Sequence, residues 1–405
     1  MSGPWSDADF RKLWAGQTIS AVGFHVTVLA MQLTAAVTLD ATPFEMGLLV
    51  AAQSVPALVV SPLAGAWTDR LPRRPILVAT DLGRAALLLT IPLAWLGGWL
   101  SMEQLYVVGL GMGTLTTLFD VAVVAYLPSL VGRPRLLAAN SAIQSSAAAV
   151  NIGAPGLAGV LVQWLTAPVA IAADAVSYVV SAASVVWIRR AEPTPRAGRD
   201  VTGLRAEIME GFHYLLGSWI LRRLAAAGAT YAVSFGVRSA LSVLYLIGPL
   251  GLEPVELGVV WGATGVGALL GATAAGPFSR RVGIGHALVT AHLIAPFAAL
   301  TPAAGFLPAE LVIPVLIVSH LGIGFWSPIY GVNETTLRQS LVDDRLLGRV
   351  GATSRLLFHG VTPVGALAGG ALAAVIGLQA ALFLSAAGAA AGVLWFLPAR
   401  IRSLR

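Results

Sequence analysis

The chain has 405 residues, of which 57% are hydrophobic and only 11% are charged. Soluble domains carry about a quarter charged residues, so this composition excludes a water-soluble globule and indicates a protein solvated by lipid. The chain has no cysteine, which excludes disulfides, thiol catalysis and thiolate metal sites. Its net charge of +6 does not indicate nucleic-acid binding, because the arginines are dispersed at the ends of apolar segments and form no patch.

Twelve apolar segments follow one another along the chain, each long enough to cross a bilayer as a helix of about 20 residues. Numbered as spans 1 to 12, they are predicted at 12–37, 44–66, 76–97, 102–126, 137–164, 168–188, 220–247, 255–276, 285–306, 309–333, 349–375 and 378–398. The apolar runs are continuous and do not alternate at every second residue, so the predicted fold class is an all-α integral membrane protein. The residues before span 1 lack the pattern of a cleaved signal, so we expect span 1 to remain in the mature protein.

Basic residues fall in every second gap between the spans, whereas the alternate gaps hold acids such as Asp40 and Glu103 or no charge. The basic gaps and ends contain Arg11 and Lys12; Arg70, Arg73 and Arg74; Arg133 and Arg135; Arg189 and Arg190; Arg280 and Arg281; Arg338 and Arg345; and Arg400, Arg402 and Arg405. Lysine and arginine concentrate on the cytoplasmic side of membrane proteins. The preference for arginine over lysine is typical of GC-rich bacterial genomes. We therefore predict a multi-pass protein of the bacterial cytoplasmic membrane with both termini in the cytosol.

An internal repeat relates the two halves of the chain. Gly65-Ala66-Trp67-Thr68-Asp69-Arg70 ends span 2, and Gly276-Pro277-Phe278-Ser279-Arg280-Arg281 ends span 8. Arg135-Leu136-Leu137 before span 5 recurs as Arg345-Leu346-Leu347 before span 11. The repeat predicts two parallel six-helix bundles, at 1–188 and 220–405, around a central cavity that opens alternately to each side.

The segment 189–219 between the two bundles is predicted to be a cytoplasmic linker. It begins with Glu192-Pro193-Thr194-Pro195, which is typical of an extended and flexible chain. After it, Leu204, Ile208, Phe212 and Leu215 recur at helical spacing between charged residues. This pattern predicts a short amphipathic helix on the inner membrane surface.

The inner end of span 2 carries the pattern Gly65-x-x-x-Asp69-Arg70-x-x-Arg73-Arg74, which we call the inner latch. A glycine lets two helices approach closely, and the carboxylate and arginines could form an interhelical charge network. Such a network would hold the two halves together in one conformation and release them in the other. The alternative is that the arginines only anchor the topology, which leaves Asp69 unexplained.

The inner latch resembles the signature loop of the major facilitator superfamily, in which Pro72 here replaces a glycine. Gly153-Ala154-Pro155-Gly156-Leu157-Ala158-Gly159 in span 5 is similar, in part, to the family's exporter motif, and we interpret Gly153, Pro155, Gly156 and Gly159 as a structural kink or hinge. Further matches to the branch of macrolide-efflux proteins and the enterobactin exporter are Phe10-Arg11-x-Leu13-Trp14-x-Gly16-Gln17, Leu137-Ala138-Ala139-Asn140 and Asp174-Ala175-x-Ser177-Tyr178. The resemblance spans nearly the whole chain and implies a twelve-helix, proton-coupled drug or siderophore exporter.

The chain departs from this family at two positions that bear on proton coupling. Span 4 lacks the arginine that many drug–proton antiporters carry there. Many relatives have an acid directly after the position of Gly23, where this chain has Phe24 followed by His25. The resemblance therefore implies proton coupling without identifying the residue that carries the proton.

Ionisable residues inside the spans are the candidate functional residues, because charge in the bilayer is costly. If spans 1, 4, 7 and 10 line the cavity as in the family, Asp120 resembles the acid that completes the latch with Arg73, although a proton carrier or an incidental pair is an alternative. Arg238 is the candidate substrate contact. The alternative is a structural role, in which Arg238 forms an ion pair or binds backbone carbonyl groups. His25 and His320 could carry a proton, since histidine changes charge near neutral pH, or could be neutral and hydrogen-bonded.

The remaining polar and aromatic residues of the spans divide into two groups. Gln32, Tyr330 and Trp326 would suit an amphipathic ligand, although such side chains more often pack against helices or lipid. Asp81 and Arg84 lie three residues apart on one helix face and are predicted to pair. We interpret Asp174, His292 and His359 as structural.

The sequence predicts a secondary active exporter with no cofactor and no metal site. It has no phosphate-binding loop, which excludes ATP as the energy source, and no nucleophile–base constellation that would indicate an enzyme. One arginine and two histidines at mid-membrane favour a neutral or anionic amphipath such as a drug, siderophore or natural product. The expected partners are this substrate, protons and membrane lipids, and we expect a monomer. A lipid or lysolipid flippase without proton coupling and an importer of a small nutrient are the alternatives.

Overall fold

The structure, a computed structural model, describes residues 4–190, 192 and 204–398, apart from the side chains of Pro62, Ala66, Asp69, 204–208 and Asp344. The described part contains fourteen α-helices and short 3-10 or π turns. The helices are α1 Ala8–Leu33, α2 Pro43–Arg70, α3 Arg73–Leu96, α4 Met102–Val131, α5 Leu136–Leu165, α6 Ala167–Val186, α7 Leu204–Gly217, α8 Trp219–Ile247, α9 Pro254–Val282, α10 Ile284–Ala291, α11 Ile294–Ala303, α12 Ala309–Leu341, α13 Asp344–Ile376 and α14 Leu378–Ala391.

These helices provide twelve segments that are long and apolar enough to cross a membrane within the described ranges. Helices α10 and α11 together form one of them, Ile284–Phe306, and α14 forms another with the turn that follows it, Leu378–Phe396. The predicted all-α fold with twelve spans is confirmed. The structure extends α2 to Arg70 and α12 to Leu341, beyond the predicted apolar runs, because a helix continues through the charged turns that leave the hydrocarbon region.

The chain separates into two compact units. Unit 1 comprises Met1–Ala41 and Ala52–Val201, and unit 2 comprises Thr42–Ala51 and Thr202–Arg405. In unit 1, α1 packs against α5 and α6, and α3 packs against α4 and α6. In unit 2, α8 packs against α13 and α14, and α9 packs against α12. The predicted domain boundaries at 188 and 220 stay a prediction.

Small residues let helices within each unit pack at backbone distance, which is how membrane helices associate when lipid removes the hydrophobic driving force. In unit 1, a Cβ at Gly23 of α1 would lie 2.3 Å from both Asp174 Oδ1 and Ser177 Oγ of α6. In unit 2, a Cβ at Gly271 of α9 would lie 2.0 Å from the carbonyl oxygen of Phe325 in α12. Glycine is therefore required at both positions.

Helix α7 corresponds to the predicted amphipathic helix, but its apolar face contacts another helix of the same unit. Leu215 is buried together with Leu346 and Val350 of α13, and Glu210 forms an ion pair with Arg349. The side chains of Leu204 and Ile208, on which the prediction also depended, lie outside the described residues. The apolar face of α7 therefore packs on unit 2, because a neighbouring helix supplies the apolar contact that the prediction had assigned to lipid.

Candidate functional site

Cations at the charged end of unit 1 hydrogen-bond to the last carbonyl groups of two helices. Lys12 Nζ donates to the carbonyl oxygen of Trp187, 2.7 Å away, and Arg135 Nε donates to that of Val131 at 3.0 Å. The carboxylate of Asp7 lies 3.6 Å from Arg135 Nη1 and 3.5 Å from Arg190 Nη1. Positive side chains stabilise helix C-termini, so these residues have a local structural role beyond setting topology.

The arginines of the inner latch contact the start of the linker. The backbone N–H groups of Arg73 and Arg74 donate to the carboxylate of Glu192 at 2.8 and 3.1 Å, and Arg73 Nη1 lies 3.5 Å from the same group. Glu192 therefore caps the N-terminus of α3, where an anion complements the helix dipole. The predicted partner of Arg73, Asp120, is not seen beside it among the described contacts, because Asp120 faces a cavity that contains Arg84.

The other latch positions give a mixed outcome. A Cβ at Gly65 would meet no atom within 4 Å, so the close helix approach expected there is absent from the described contacts. Arg70 is exposed in the last turn of α2. The side chain of Asp69 lies outside the described residues, so the latch stays a prediction in which Glu192 is a newly identified member.

Replacing Glu192 with glutamine is expected to destabilise the folded protein by about 1 kcal/mol, the usual contribution of a helix cap. Glutamine keeps the shape of the side chain but loses the charge that the N-terminus of α3 and Arg73 both contact. A lower Tm of the purified protein in detergent would be the readout. Glu310→Gln, which removes an exposed carboxylate in the first turn of α12, is the matched control. An equal Tm change in both variants would contradict the capping role.

A cavity of about 390 Å³ lies within unit 1, among α1, α3, α4, α5 and α6. Its polar lining consists of Gln17, Thr18, Ser20, Arg84, Thr116, Asp120, Ser146 and Tyr178. The aromatic residues Trp14, Phe24 and Phe119 contribute to the rest of the wall, which is mainly apolar. A cavity of this size and lining is suited to a small amphipathic molecule.

Arg84 is the central charge of this cavity. It forms an ion pair with Asp81, and the two side chains are only 5% and 0% exposed. Its guanidinium carbon lies 4.4 Å from the ring centre of Phe119 and 4.2 Å from that of Tyr178, so the cation is also held by two aromatic faces. The predicted Asp81–Arg84 pair is confirmed.

Two further carboxylates belong to the surroundings of Arg84. Asp174 is fully buried; its Oδ2 accepts from Thr27 Oγ1 at 2.5 Å and its Oδ1 from Ser177 Oγ at 2.7 Å. Asp120 lines the cavity and interacts electrostatically with Arg84, as does Asp174. One guanidinium thus pairs with Asp81 and interacts electrostatically with two further carboxylates. We call Asp81, Arg84, Asp120 and Asp174 the Arg84 cluster.

The other candidates of unit 1 do not line this cavity. His25 Nε2 lies 3.0 Å from Asn151 Oδ1 and thereby links α1 to α5. Gln32 is buried, and its Oε1 has no hydrogen-bond partner among the described residues. These two residues stay candidates by their position inside a span and not by contact with a cavity.

The predicted hinge lies in a helix that is continuous from Leu136 to Leu165, with Pro155 inside it. Pro155 and Gly159 are buried, whereas Gly153 is exposed. A Cβ at Gly153 or Gly156 would meet no described atom within 4 Å. No close helix contact is therefore seen at these two glycines among the described residues, because they do not share the packed face of α5.

A second cavity, of about 370 Å³, lies within unit 2 among α7, α8, α12 and α13. Tyr330, Glu334, Arg338, Arg355 and His359 supply most of its ionisable lining. Arg338 Nη1 lies 2.7 Å from Glu334 Oε1, one turn apart on α12. Arg355 and His359 are exposed to the cavity from α13.

Arg238 and His320 are neighbours in unit 2, but neither lines the two larger cavities. His320 is buried, and its Nδ1 lies 3.0 Å from the carbonyl oxygen of Leu316, which can only accept; Nδ1 is therefore the donor. Arg238 lies 5.3 Å from the ring centre of Phe235 and interacts electrostatically with His320. The predicted substrate role of Arg238 therefore has no support from the geometry of these cavities and stays a prediction.

Trp326 and Tyr330 line a small space of about 30 Å³ beside His292. Trp326 packs edge-on against Phe325, with ring centres 5.2 Å apart. Tyr330 packs edge-on against His292, and its buried hydroxyl has no hydrogen-bond partner among the described residues. Tyr330 also lines the larger cavity of unit 2, so it is the sequence-predicted residue with the clearest access to a ligand there.

Sequence reasoning missed Glu192, Arg355 and the functional position of Arg84. The sequence predicts Arg84 only as the partner of Asp81. Arg355 lies inside the apolar run of span 11, and its charge is the signal in the sequence that points to it. A search of the described residues finds no group of three or more His, Cys, Asp or Glu side chains arranged to hold a metal ion.

Comparisons with known proteins agree with this architecture. A profile of the Major Facilitator Superfamily matches residues 13–358. The chain is 27% identical to the uncharacterized MFS-type transporter y4rN of Sinorhizobium fredii, over 87% of this chain and 85% of that protein. It is 29% identical to the multidrug efflux pump Tap of Mycolicibacterium fortuitum, over 90% and 88%. The solved nucleoside transporter NupG superposes with a TM-score of 0.79 at 11% identity, over 98% and 100% of the two chains, which shows a shared fold.

The profile match covers most of the twelve spans, and the curated relatives align with both units. The matches do not assign the chain to the macrolide and enterobactin exporter branch that the sequence analysis had named. The multi-pass membrane architecture and the transporter class are common to the family and to these relatives. The chain belongs to the major facilitator superfamily and is a membrane transporter, not an enzyme.

Proposed function

We propose that this chain is a secondary active efflux transporter that exchanges protons for a neutral or anionic amphipathic small molecule by alternating access. The substrate would be a drug, siderophore or natural product. It would act in the bacterial cytoplasmic membrane, as a monomer with both termini in the cytosol. The alternating basic gaps support this topology, and the 29% identity to the efflux pump Tap and the partial exporter motif in α5 support export.

The observation that carries proton exchange is the composition of the Arg84 cluster. One guanidinium can neutralise one carboxylate, and Asp81 already occupies it. If Asp120 and Asp174 were also ionised, the cluster would hold an excess of negative charge inside a span, where uncompensated charge is costly. Protonation of a carboxylate removes that excess, so the cluster is suited to bind and release a proton.

The three carboxylates have different access to water, which suggests different roles. Asp120 lines the cavity, whereas Asp81 and Asp174 are 0% exposed. Asp120 is therefore the group that would exchange a proton with the cavity. Asp81 holds Arg84 in position, and Asp174 is held by two hydroxyl groups. His25 and His320 remain secondary candidates for the proton.

The cavity linings support the proposed substrate class. Both cavities combine apolar and aromatic walls with a few polar groups, as sites for amphipathic molecules do. The cavity of unit 2 carries two arginines and one glutamate, which favours neutral and anionic molecules over polycations. Movement between states would involve the inner latch and the kink region of α5.

The test is transport into everted membrane vesicles from cells that produce the protein. We expect an anionic amphipathic dye to accumulate when a proton gradient is imposed, and to cease accumulating when a protonophore is added. Vesicles from cells without the protein are the control. Accumulation at the same rate without a gradient would exclude proton exchange, and gradient-independent movement of a labelled lysolipid would favour the flippase alternative.

A further inference from the structure

We infer that the cavity of unit 2 binds the anionic group of the substrate and that Arg355 is the residue that contacts it. This inference rests on the proposed function only in identifying the bound anion with the transported molecule. It names a site that differs from Arg238, the candidate predicted from sequence. The preferred ligand is an amphipath with a single carboxylate, phosphate or sulfonate group.

Among the described ionisable side chains that line this cavity, one cation has no ion-pair partner. Arg338 is compensated by Glu334 at 2.7 Å on the same helix. Glu210 of α7 pairs with Arg349 of α13. Arg355 forms no ion pair among the described residues, and His359, one turn further along α13, lines the same cavity. The described residues that line the cavity therefore carry a net charge of +1, or +2 when His359 is protonated.

An unpaired arginine inside a membrane span needs a compensating interaction, because its charge is costly in low dielectric. Arg355 lies inside the span Arg345–Ile376 and is exposed to the cavity, so the compensating group can come from a ligand. The guanidinium presents two parallel N–H donors that match a carboxylate or phosphate. An anion is thus the ligand chemistry that this side chain selects.

Tyr330 supplies an independent sign of a polar ligand. Its hydroxyl is buried and has no hydrogen-bond partner among the described residues, although the side chain lines the cavity. Leaving a buried hydroxyl without a partner is unfavourable, so we expect it to turn toward a ligand oxygen when the cavity is filled. Arg355 lines the cavity from α13 and Tyr330 from α12, so both side chains are available to one anionic group.

The remaining lining fits the apolar body of the ligand. Leu215, Leu221, Leu224 and Phe358 face the same space, whose volume of about 370 Å³ lies within the range of small-molecule sites. The cavity lies where α8 begins, where α12 ends and in the first half of α13. In the proposed topology this is the cytoplasmic end of unit 2, so the anion would be recognised where an exported substrate enters.

Equilibrium binding to the purified full-length protein in detergent, without any gradient, tests this site. The probes are N-dansyl-leucine, which carries one carboxylate, and its neutral amide, followed by dansyl fluorescence. The wild-type protein should bind the carboxylate more tightly than the amide. Arg355→Gln should raise the Kd for the carboxylate by about 10- to 100-fold and change the Kd for the amide by less than about 3-fold, given the strength of hydrogen bonds to charged groups.

Three further variants make the result specific. Arg355→Lys should retain part of the preference for the carboxylate over the amide, because lysine keeps the positive charge but lacks the two parallel N–H donors of the guanidinium. Tyr330→Phe should raise the Kd for the carboxylate probe by roughly 3- to 10-fold. Arg223→Gln is the matched control, since Arg223 lies over the ring of Trp219 and does not line the cavity. It should leave the binding of both probes unchanged.

Several results would overturn the inference. They are equal binding of the two probes by the wild type, equal weakening of both probes in Arg355→Gln, or selective loss of the carboxylate in Arg238→Gln but not in Arg355→Gln. Phosphatidylglycerol in mixed micelles is a competitor: if it displaces N-dansyl-leucine from the wild type only, the anion at Arg355 can be a lipid headgroup. Because no gradient is used, absence of proton-driven transport would overturn the proposed function and leave the anion site intact.

Discussion

Replacing Arg84 with glutamine is expected to be among the most destabilising single changes in unit 1. The substitution leaves Asp81 buried without its ion-pair partner and removes the positive charge that Asp120 and Asp174 share. Breaking a buried ion pair from one side costs about 3–5 kcal/mol, because the remaining charge is uncompensated. The contacts with Phe119 and Tyr178 are lost as well. The purified variant should show a Tm lower by at least about 5 °C.

The double variant Asp81→Asn/Arg84→Gln separates the charge effect from a loss of packing. It removes both members of the pair, so it should recover much of the stability that Arg84→Gln loses. Arg223→Gln removes a half-buried arginine that lies over an aromatic ring and donates to the carbonyl oxygen of Trp395, and it should lower Tm less than Arg84→Gln does. If Arg84→Gln and Arg223→Gln had the same Tm, the Arg84 cluster would not be the electrostatic centre of unit 1.

The contrast between Asp81 and Asp174 shows what the sequence could predict about this cluster. Asp81 and Arg84 are three residues apart on α3, so their pairing follows from helix geometry alone. Asp174 lies on α6 and reaches the cluster because α3 and α1 both pack against α6. Gly23 permits that packing at backbone distance, and nothing in the local sequence of Gly23 indicates which helix it meets. Tertiary neighbours were therefore needed to recognise three carboxylates around one cation.

The spans themselves were predictable for a different reason. In lipid each backbone N–H and C=O must be satisfied within its own segment, so a long apolar run must be helical. Helix ends were less certain, as α12 shows by continuing from the predicted limit at 333 to Leu341. Glu334 and Arg338 lie in that extension and line the cavity of unit 2. Hydropathy alone does not predict this part of α12, because its residues are polar and charged.

Arg73 and Arg355 illustrate two other limits. The family resemblance implies that Arg73 pairs with Asp120. In the structure Arg73 contacts Glu192 instead, and Glu192 caps the helix that begins at Arg73. The family resemblance implies a cavity lined by spans 1, 4, 7 and 10, whereas Arg355 lies in span 11. A charged residue within an apolar run is a physical signal in any span, and by that criterion the sequence alone indicates Arg355.

Replacing Asp120 with asparagine is expected to abolish proton-driven transport while retaining the fold and substrate binding. Asparagine keeps the size of the side chain but cannot take up or release a proton. Asp120 is the member of the Arg84 cluster that is exposed to the cavity, so its loss removes the proposed exchange of protons with water. The accumulation ratio of the anionic dye in everted vesicles should fall at least about 10-fold, which corresponds to about 1.4 kcal/mol or more of free energy that the proton gradient no longer supplies.

Exchange of labelled against unlabelled substrate across the same vesicles, without a gradient, distinguishes lost coupling from lost transport. The Asp120→Asn variant should still exchange substrate at a rate within about 3-fold of the wild type, since the proposed anion site lies in unit 2 and contains Arg355. Glu310→Gln, which removes an exposed carboxylate at a helix start, should behave as wild type in both assays. If Asp120→Asn accumulated dye as well as the wild type, the proton would have to be carried elsewhere, and Asp174 and His25 would be the next residues to replace. If exchange and accumulation fell together, Asp120 would contribute to substrate movement itself, and its role in coupling would be lost.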